Sequence, residues 1–294
     1  MAQTGRDIQR RMNSIRNTQQ ITKAMEIIAG VKLRKARGRV EATRPYQHRL
    51  RDTLQRVLEA AAVEGDTLPP IAREAEGSGH CLIVVTADKG LAGGYNSNVL
   101  RRAEVFRREN ESTQLVLIGR KAREFYRRRD VRFLADWVNV GDDIRFSEAR
   151  EISAVVQEFF LGGLFARISL LYTEFQSAVS HRPVVKQLLP LADGSAERGS
   201  SASSQGPKPL YWYEPSLAGV LRQMVPLYLD SAIYHGLLEG AASEQGARVT
   251  AMRNASDNAG ELIEELNLSY NRIRQGIITK ELSEIVGGAE ALES

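Results

Sequence analysis

The strongest constraint on this chain is a seam. Stepping alternately four and three residues from Ile8 lands on Ile8, Met12, Ile15, Gln19, Thr22, Glu26, Ala29, Leu33, Ala36, Val40, Thr43, Gln47, Leu50, Leu54, Val57 and Ala61. Mostly apolar residues recurring at that period, in a region dense with Arg and Lys, mark the contact face of a coiled coil. Glu26 is the only charge on it. The stepping resumes at the other end through Leu217, Leu221, Met224, Tyr228, Ser231, His235, Leu238, Ala242, Gln245, Val249, Met252, Ser256, Ala259, Ile263, Leu266, Tyr270, Ile273 and Ile277. At about 1.5 Å per residue, a helix from Ser216 to about Val286 would reach roughly 100 Å. A compact domain of 294 residues is not that wide. The two ends are therefore expected to share a rod, most simply an antiparallel pair. Pro45 and Pro226 fall within the patterns, but the seam keeps its phase through both, which predicts kinks rather than helix ends.

Between the helices the period changes. "HCLIVVTADKGLAGGYNSNVLRRAEVF" reads as a buried strand from Cys81 to Thr86, a Gly-rich loop and a helix opening near Ser97. "TQLVLIG" is a second strand, "KAREFYRRRD" a helix, "VRFLADWVNV" a third strand, "FSEAREISAVVQEFFLGG" a helix and "ARISLLYTEF" a fourth strand, with "HRPVVKQLLPL" as a further strand. Alternating strand and helix predicts a Rossmann-like α/β domain with a largely parallel sheet. The expected organisation is an N-terminal coiled-coil helix over 1–62, a linker over 63–79, the α/β domain over 80–192, a Ser/Gly/Pro-rich loop over 193–209 and a C-terminal coiled-coil helix over 210–294. The overall class is thus α/β: a long antiparallel coiled coil of the terminal helices plus that domain.

Composition excludes several chemistries. Hydrophobic residues at 43% and charged residues at 26% are ordinary for a soluble chain, while 6% aromatics imply an aliphatic core. The formal charge of +4 is a weak pointer to acidic partners. Cys81 is the only cysteine, so there is neither an internal disulfide nor a cysteine metal cluster, and a reducing compartment is expected. His48, His80, His181 and His235 are scattered, and no metal site is expected. No run reaches membrane-spanning length, and the opening lacks the apolar core of a signal peptide.

The loop "DKGLAGGYN" follows a strand and precedes a helix, where backbone amides can cradle a phosphate. Gly90, Gly93 and Gly94, however, match neither nucleotide-binding glycine spacing, and no Lys-Ser or Lys-Thr follows. A structural turn is the expected reading, with no cofactor and no catalytic residues. The basic run "KLRKARGR" could meet nucleic-acid phosphates or an acidic protein equally well. Gly30, Gly240, Gly246, Gly260 and Gly276 lie inside the helical patterns, where each costs up to about 1 kcal/mol. They imply either a close backbone approach or compliance in the rod.

"RMNSIRNTQQITKAMEIIAGVKLRKAR", "VTADKGLAGGYNSNV", "YWYEPS", "ASEQGARVTAMRNASDNAGELI" and "LSYNRIRQGIITKELSEIVGGA" resemble the gamma subunit of F-type ATP synthase, in that family's order and nearly end to end. The resemblance implies a non-catalytic, rotating central stalk that couples a proton-driven ring of c subunits to ATP synthesis or hydrolysis. One copy would stand inside three alpha and three beta subunits, with its foot beside epsilon on the ring. It would sit at the cytoplasmic face of a bacterial plasma membrane, peripheral to it, without membrane insertion and without nucleic acid. Lys23 and Met25 in "ITKAM" match positions that meet the beta-subunit levers. Arg248, Gln275 and Thr279 match a polar cluster contacting a beta-subunit loop, and Glu284 matches another coupling position. Gly246 and Gly276 depart from the alanines expected beside Arg248 and Gln275. Two readings compete: a nucleotide-dependent α/β enzyme with a helical oligomerisation arm, and a basic coiled-coil nucleic-acid binder.

Overall fold

The computed structural model describes residues 5–64, 68–73, 77–141, 143–177, 180–191, 212–214 and 216–293. The Ser/Gly/Pro-rich loop expected at 193–209 lies outside the described residues. The chain forms two compact units, Met1–Gly30 with Arg248–Ser294, and Val31–Ala247. Helices α1 (Gly5–Glu64) and α5 (Leu217–Glu293) contribute to both, and each runs through its proline, Pro45 or Pro226.

All the α1 seam positions from Ile8 to Ala61 are buried or half-buried. In α5 the same holds from Leu217 to Ile273. In the smaller unit Glu26 bonds Arg253, Gln19 reaches the Ser256 carbonyl, and Gly5 lies against Tyr270. Numbers rise on one helix as they fall on the other, so the pair is antiparallel. In the larger unit Arg44 bonds Glu239 and Gln47 bonds Ser231, again in antiparallel order.

The larger unit is built on a five-stranded sheet of order β3-β2-β1-β4-β5. The strands are β1 (His80–Val85), β2 (Thr113–Ile118), β3 (Ala135–Trp137), β4 (Arg167–Phe175) and β5 (His181–Leu189). β1 is parallel to β2 and β4, β2 is parallel to β3, and β5 runs antiparallel to β4. Every residue of β1 is buried, as expected of a central parallel strand covered on both faces. Its alternate side chains serve two cores. Cys81, Ile83 and Val85 pack with α4 (Phe146–Leu161), α5 and the second half of α1. Leu82 and Val84 pack with α2 (Tyr95–Glu109) and α3 (Arg120–Arg127), through Val99, Leu100, Phe106, Ala122 and Tyr126. Helix α2 opens at Tyr95, two residues before the expected Ser97. Strand β3 keeps only three residues of the expected ten, because it is an edge strand and the left-handed Asn139 (φ 64°) turns the chain beyond it.

Close approach explains some helical glycines. A Cβ on Gly240 would stand 3.2 Å from the Tyr95 hydroxyl and 3.3 Å from Val85, and one on Gly260 would stand 3.2 Å from Gln19 Nε2. Gly236 had no sequence signal of its own, yet a Cβ there would meet Leu170 Cδ2 at 2.6 Å. Gly30 and Gly276 face open space, so no close approach accounts for them.

His80 opens β1, is 9% exposed, and shares a 2.9 Å hydrogen bond with Ser169 Oγ. Burial, and secondarily the nearby Arg167 charge, push it down to about 4. Between pH 6.5 and about 4 the unfolded chain therefore binds a proton that the folded chain refuses. Stability should decline as pH falls through that window, by at most ~1.4 kcal/mol per pH unit. Urea midpoints at pH 7 and pH 5 should lie closer together in H80Q than in the wild type; an unchanged gap would assign the acid sensitivity to other groups. Cys81 is buried beside it, and burial pushes its thiol up to about 12, so the only cysteine is chemically quiet.

Candidate functional site

The smaller unit carries most of the residues that the sequence singles out. Its seam is apolar at Ile8 and Met12 and again at Ala29, with a polar layer between. In that layer the Thr22 hydroxyl bonds the Gln19 carbonyl at 3.0 Å, and Gln19 Nε2 reaches across to the Ser256 carbonyl at 3.3 Å. Glu26, the single seam charge, takes Lys23 Nζ at 3.0 Å from its own helix and Arg253 Nε at 3.0 Å from the facing one. Hydrogen bonds from Lys23, and then from Arg253, hold its carboxyl below the usual range. Among the described α1 seam positions Glu26 is the only charge, and it favours this register, because a slipped pairing would take Arg253 away from the carboxylate. Arg253 is a residue that sequence reasoning missed. The signal for it was Glu26, whose presence in the seam required a cation on the facing helix.

The expected contact residues occupy separate stations. Lys23 is exposed beside Glu26, and Met25 is half-buried. Arg248 is only 8% exposed. Gln275 and Thr279, one turn apart, are fully on the surface, as is Glu284, which pairs with Lys280 at 3.6 Å. Arg248 and Gln275 are 27 positions apart on one continuous helix, roughly 40 Å, so the structure does not gather them into one cluster. Two exposed apolar sets accompany these stations. Ile21, Ile27 and Ile28 on α1 are 60, 61 and 58% exposed. On α5, Ile277, Ile278, Leu282, Ile285 and Val286 are exposed, and every side chain from Arg274 to Val286 faces solvent.

In the larger unit the Gly-rich loop meets the place where an open parallel sheet usually receives a ligand, the carboxyl ends of β1 and its neighbours at the reversal of strand order. Four of the amides there are already taken. Asp88 accepts from Arg120 N and Asn139 N, both at 2.9 Å, and from Gly141 N at 3.4 Å. Arg120 opens α3, so the carboxylate sits where a phosphate would meet a helix N-terminus. Asn96 Oδ1 accepts from Ala87 N at 2.9 Å, and Leu91 and Gly93 turn the loop at φ 58° and 52°. Gly240 of α5 lies against Tyr95 and Val85 over the same crevice, whose lining includes Asp88, Gly141 and Glu244. The loop turns at Leu91 and Gly93, Asp88 holds three amides of the neighbouring segments, and a dianionic phosphate would face two carboxylates.

The comparisons agree with the resemblance. The sequence model of the ATP synthase family matches residues 4–292. The ATP synthase gamma chain of Heliobacterium modesticaldum is 48% identical over 290 residues, covering 98% of both chains. That of Desulforamulus reducens is 42% identical over 290 residues, covering 99% of both. Among solved structures, a chain from the central stalk and c-ring of Tetrahymena thermophila mitochondrial ATP synthase superposes with a TM-score of 0.62 at 27% identity, covering 80% of this chain and 99% of that one. A chain of Euglena gracilis mitochondrial ATP synthase, in its OSCP/F1/c-ring part, superposes at 0.69 over 98% of this chain and 94% of that one; at 20% identity the likeness is one of fold. With its seam and register charge, its glycine turn and relatives of one name along its whole length, the chain belongs to the ATP synthase gamma chain family.

Proposed function

We propose that this chain is the rotating central-stalk subunit of a proton-translocating F-type ATP synthase, carrying torque between a c-subunit ring and the alpha/beta hexamer, one copy per three alpha and three beta subunits. The observation that carries this reading is the last stretch of α5, where an unbroken helix continues past Ile273 with all its described side chains in solvent. A helix bearing Ile277, Ile278, Leu282, Ile285 and Val286 on its surface is built to be enclosed by something else. The hexamer would supply that enclosure, and the α/β unit would serve as the foot beside epsilon on the ring. The domain division at 62, 79, 192 and 209 belongs to the same proposal.

Catalysis would rest with the beta subunits, and this chain would act by meeting their conformations unequally, since only differential contact can shift a partner between states. Lys23 and Met25 on α1, Arg248 midway along α5, and Gln275, Thr279 and Glu284 towards its end would be the beta-subunit contacts, working at two levels along the helix. The occupied amides at Asp88 support a non-catalytic, cofactor-free role over a nucleotide-dependent enzyme. Among the described residues no helix is long and apolar enough to cross a membrane. The proposed location is the cytoplasmic face of a bacterial plasma membrane, held there by the ring.

Co-expression with the alpha and beta subunits of a matching synthase tests this. One copy should be retained per hexamer, and R248A or Q275A should lower coupled ATP hydrolysis at least about fivefold, roughly 1 kcal/mol, without releasing the chain. An alpha/beta hexamer that forms and turns over equally well without the chain would refute the reading.

A further inference from the structure

The polar layer of the smaller unit holds more bonds than register requires. Glu26 Oε1 takes Arg253 Nε from the facing helix, and Glu26 Oε2 takes Lys23 Nζ from its own, both at 3.0 Å. The bond to Arg253 crosses the seam, so a slipped pairing would break it. The bond to Lys23 stays within α1 and moves with it, so register gains nothing from it. Helix support does not account for it either, because a cation placed N-terminal to its acid has the weaker orientation against the helix dipole. What the second oxygen fixes is the direction of Lys23. The Glu26 side chain is 10% exposed and is rooted between Thr22 and Ala29, one turn to either side and both buried. Lys23 and Arg253 are 59 and 63% exposed, and among the described residues neither makes another ion pair. Two long cationic side chains that would otherwise range through solvent are thereby held together at the mouth of the seam, one from each helix, and the trio keeps a surplus positive charge. Beside Lys23, Ile27 is exposed one turn on, and Gly30 after it presents bare backbone, with nothing within 4 Å of where a Cβ would stand.

We propose that Glu26 is a positioning residue for coupling: it holds Lys23 and Arg253 as a paired cationic contact for an anionic group of the beta subunit. The proposal rests on the central-stalk reading, and it adds Arg253 to the contacts proposed there. Orientation before contact matters because an anchored side chain has already lost the rotamer freedom that docking would otherwise take from it. The arrangement also lets the contact change without stranding a charge. When an incoming anion draws Lys23 away, Glu26 keeps Arg253, so the buried carboxylate is never left unpaired. A contact of this kind differs between partner states by the exchange of one bond, and such a difference is what shifts a partner between them.

The test uses membranes bearing the complete synthase with this chain as its stalk, and it reads proton pumping per ATP hydrolysed. E26Q and E26M should each lower that ratio at least about threefold, as should K23Q/R253Q. E26M separates positioning from packing. A methionine suits a seam position, so the urea midpoint of the full chain should stay at or above the wild-type value while coupling is lost. Adding E26M to K23Q/R253Q should lower the ratio no further, because the acid acts through the two cations. A ratio unchanged in either single variant overturns the proposal, and so does a further loss in the triple variant. The central-stalk reading stands in both of those cases; it falls, and this proposal with it, only where the alpha/beta hexamer does not retain the wild-type chain.

Discussion

Gly119→Ala should cost at least about 4 kcal/mol and leave the α/β unit unable to close its sheet. Gly119 has φ 96° and ψ 141°, a backbone region that is essentially glycine's alone and costs any other residue ~1–3 kcal/mol. The larger penalty is steric. An added Cβ would stand 2.2 Å from the Thr86 carbonyl oxygen and 2.7 Å from both its carbon and Oγ1. Neither side can yield, because Thr86 N donates to the Ile118 carbonyl and Gly119 N to the Trp137 carbonyl, both at 2.8 Å, while Ala122 N donates to Thr86 Oγ1 at 3.0 Å. Moving Gly119 away would unpair β2 from β3 and α3 from β1. Gly30→Ala is the control: its Cβ meets nothing within 4 Å, so it should be neutral or stabilising by up to ~1 kcal/mol. Urea unfolding of the two variants settles the point, and a G119A within 1 kcal/mol of wild type would show that the strand ends shift more easily than their hydrogen bonds imply.

Glu239→Ala should be the next most damaging change, at ~3 kcal/mol. Its carboxylate is only 2% exposed and binds three elements at once: Arg44 of α1 at 2.9 Å, His235 of its own helix at 3.3 Å, and Phe175 N of β4 at 2.6 Å. Burial alone would raise its pKa, but the bonds from His235, Phe175 N and Arg44 outweigh that and hold it low. A carboxylate lowered on folding contributes stability above its unfolded value near 4.5, and that contribution is lost as pH falls through the folded value. Arg44→Ala should cost less, ~2 kcal/mol, because Arg44 is 41% exposed and its own desolvation is partial, yet the acid left behind stays buried. The double variant should fall short of the sum by more than ~0.5 kcal/mol. Strict additivity, or an E239A loss that persists undiminished at pH 3, would remove the ion pair from the account.

Much of this was legible from the residues, and where it failed the reasons are physical. The four-three stepping found the buried face of both long helices, because a seam residue must be covered wherever it falls. It failed at Ile277, which obeys the period but is 48% exposed, since periodicity reports a face meant for contact and not whether the partner lies in the same chain. Strand β3 was overread because "VRFLADWVNV" has strand composition throughout, whereas an edge strand pairs only as far as β2 runs beside it. The glycine loop does turn, at Leu91 and Gly93. The role of the acid beside it could not be read from spacing, because Asp88 bonds residues 32 to 53 positions away. Gly236 and Gly119 gave no warning either, as a glycine's necessity depends on what approaches it from elsewhere. The residues proposed as contacts along α1 and α5 rest on resemblance, and the surface station of Arg253 could be inferred only from the acid it neutralises.

The uncovered end of α5 also has a bearing on how a cell must handle this protein. Thirteen consecutive surface-facing residues, Arg274 to Val286, include five large aliphatic side chains, none of them covered among the described residues. A copy made in excess would carry an open, protease-accessible helix that sticks to other unfinished proteins. Its lifetime should therefore follow the supply of hexamers, with unassembled copies cleared first from this end, so that the geometry of one helix terminus doubles as a quality-control tag on subunit stoichiometry.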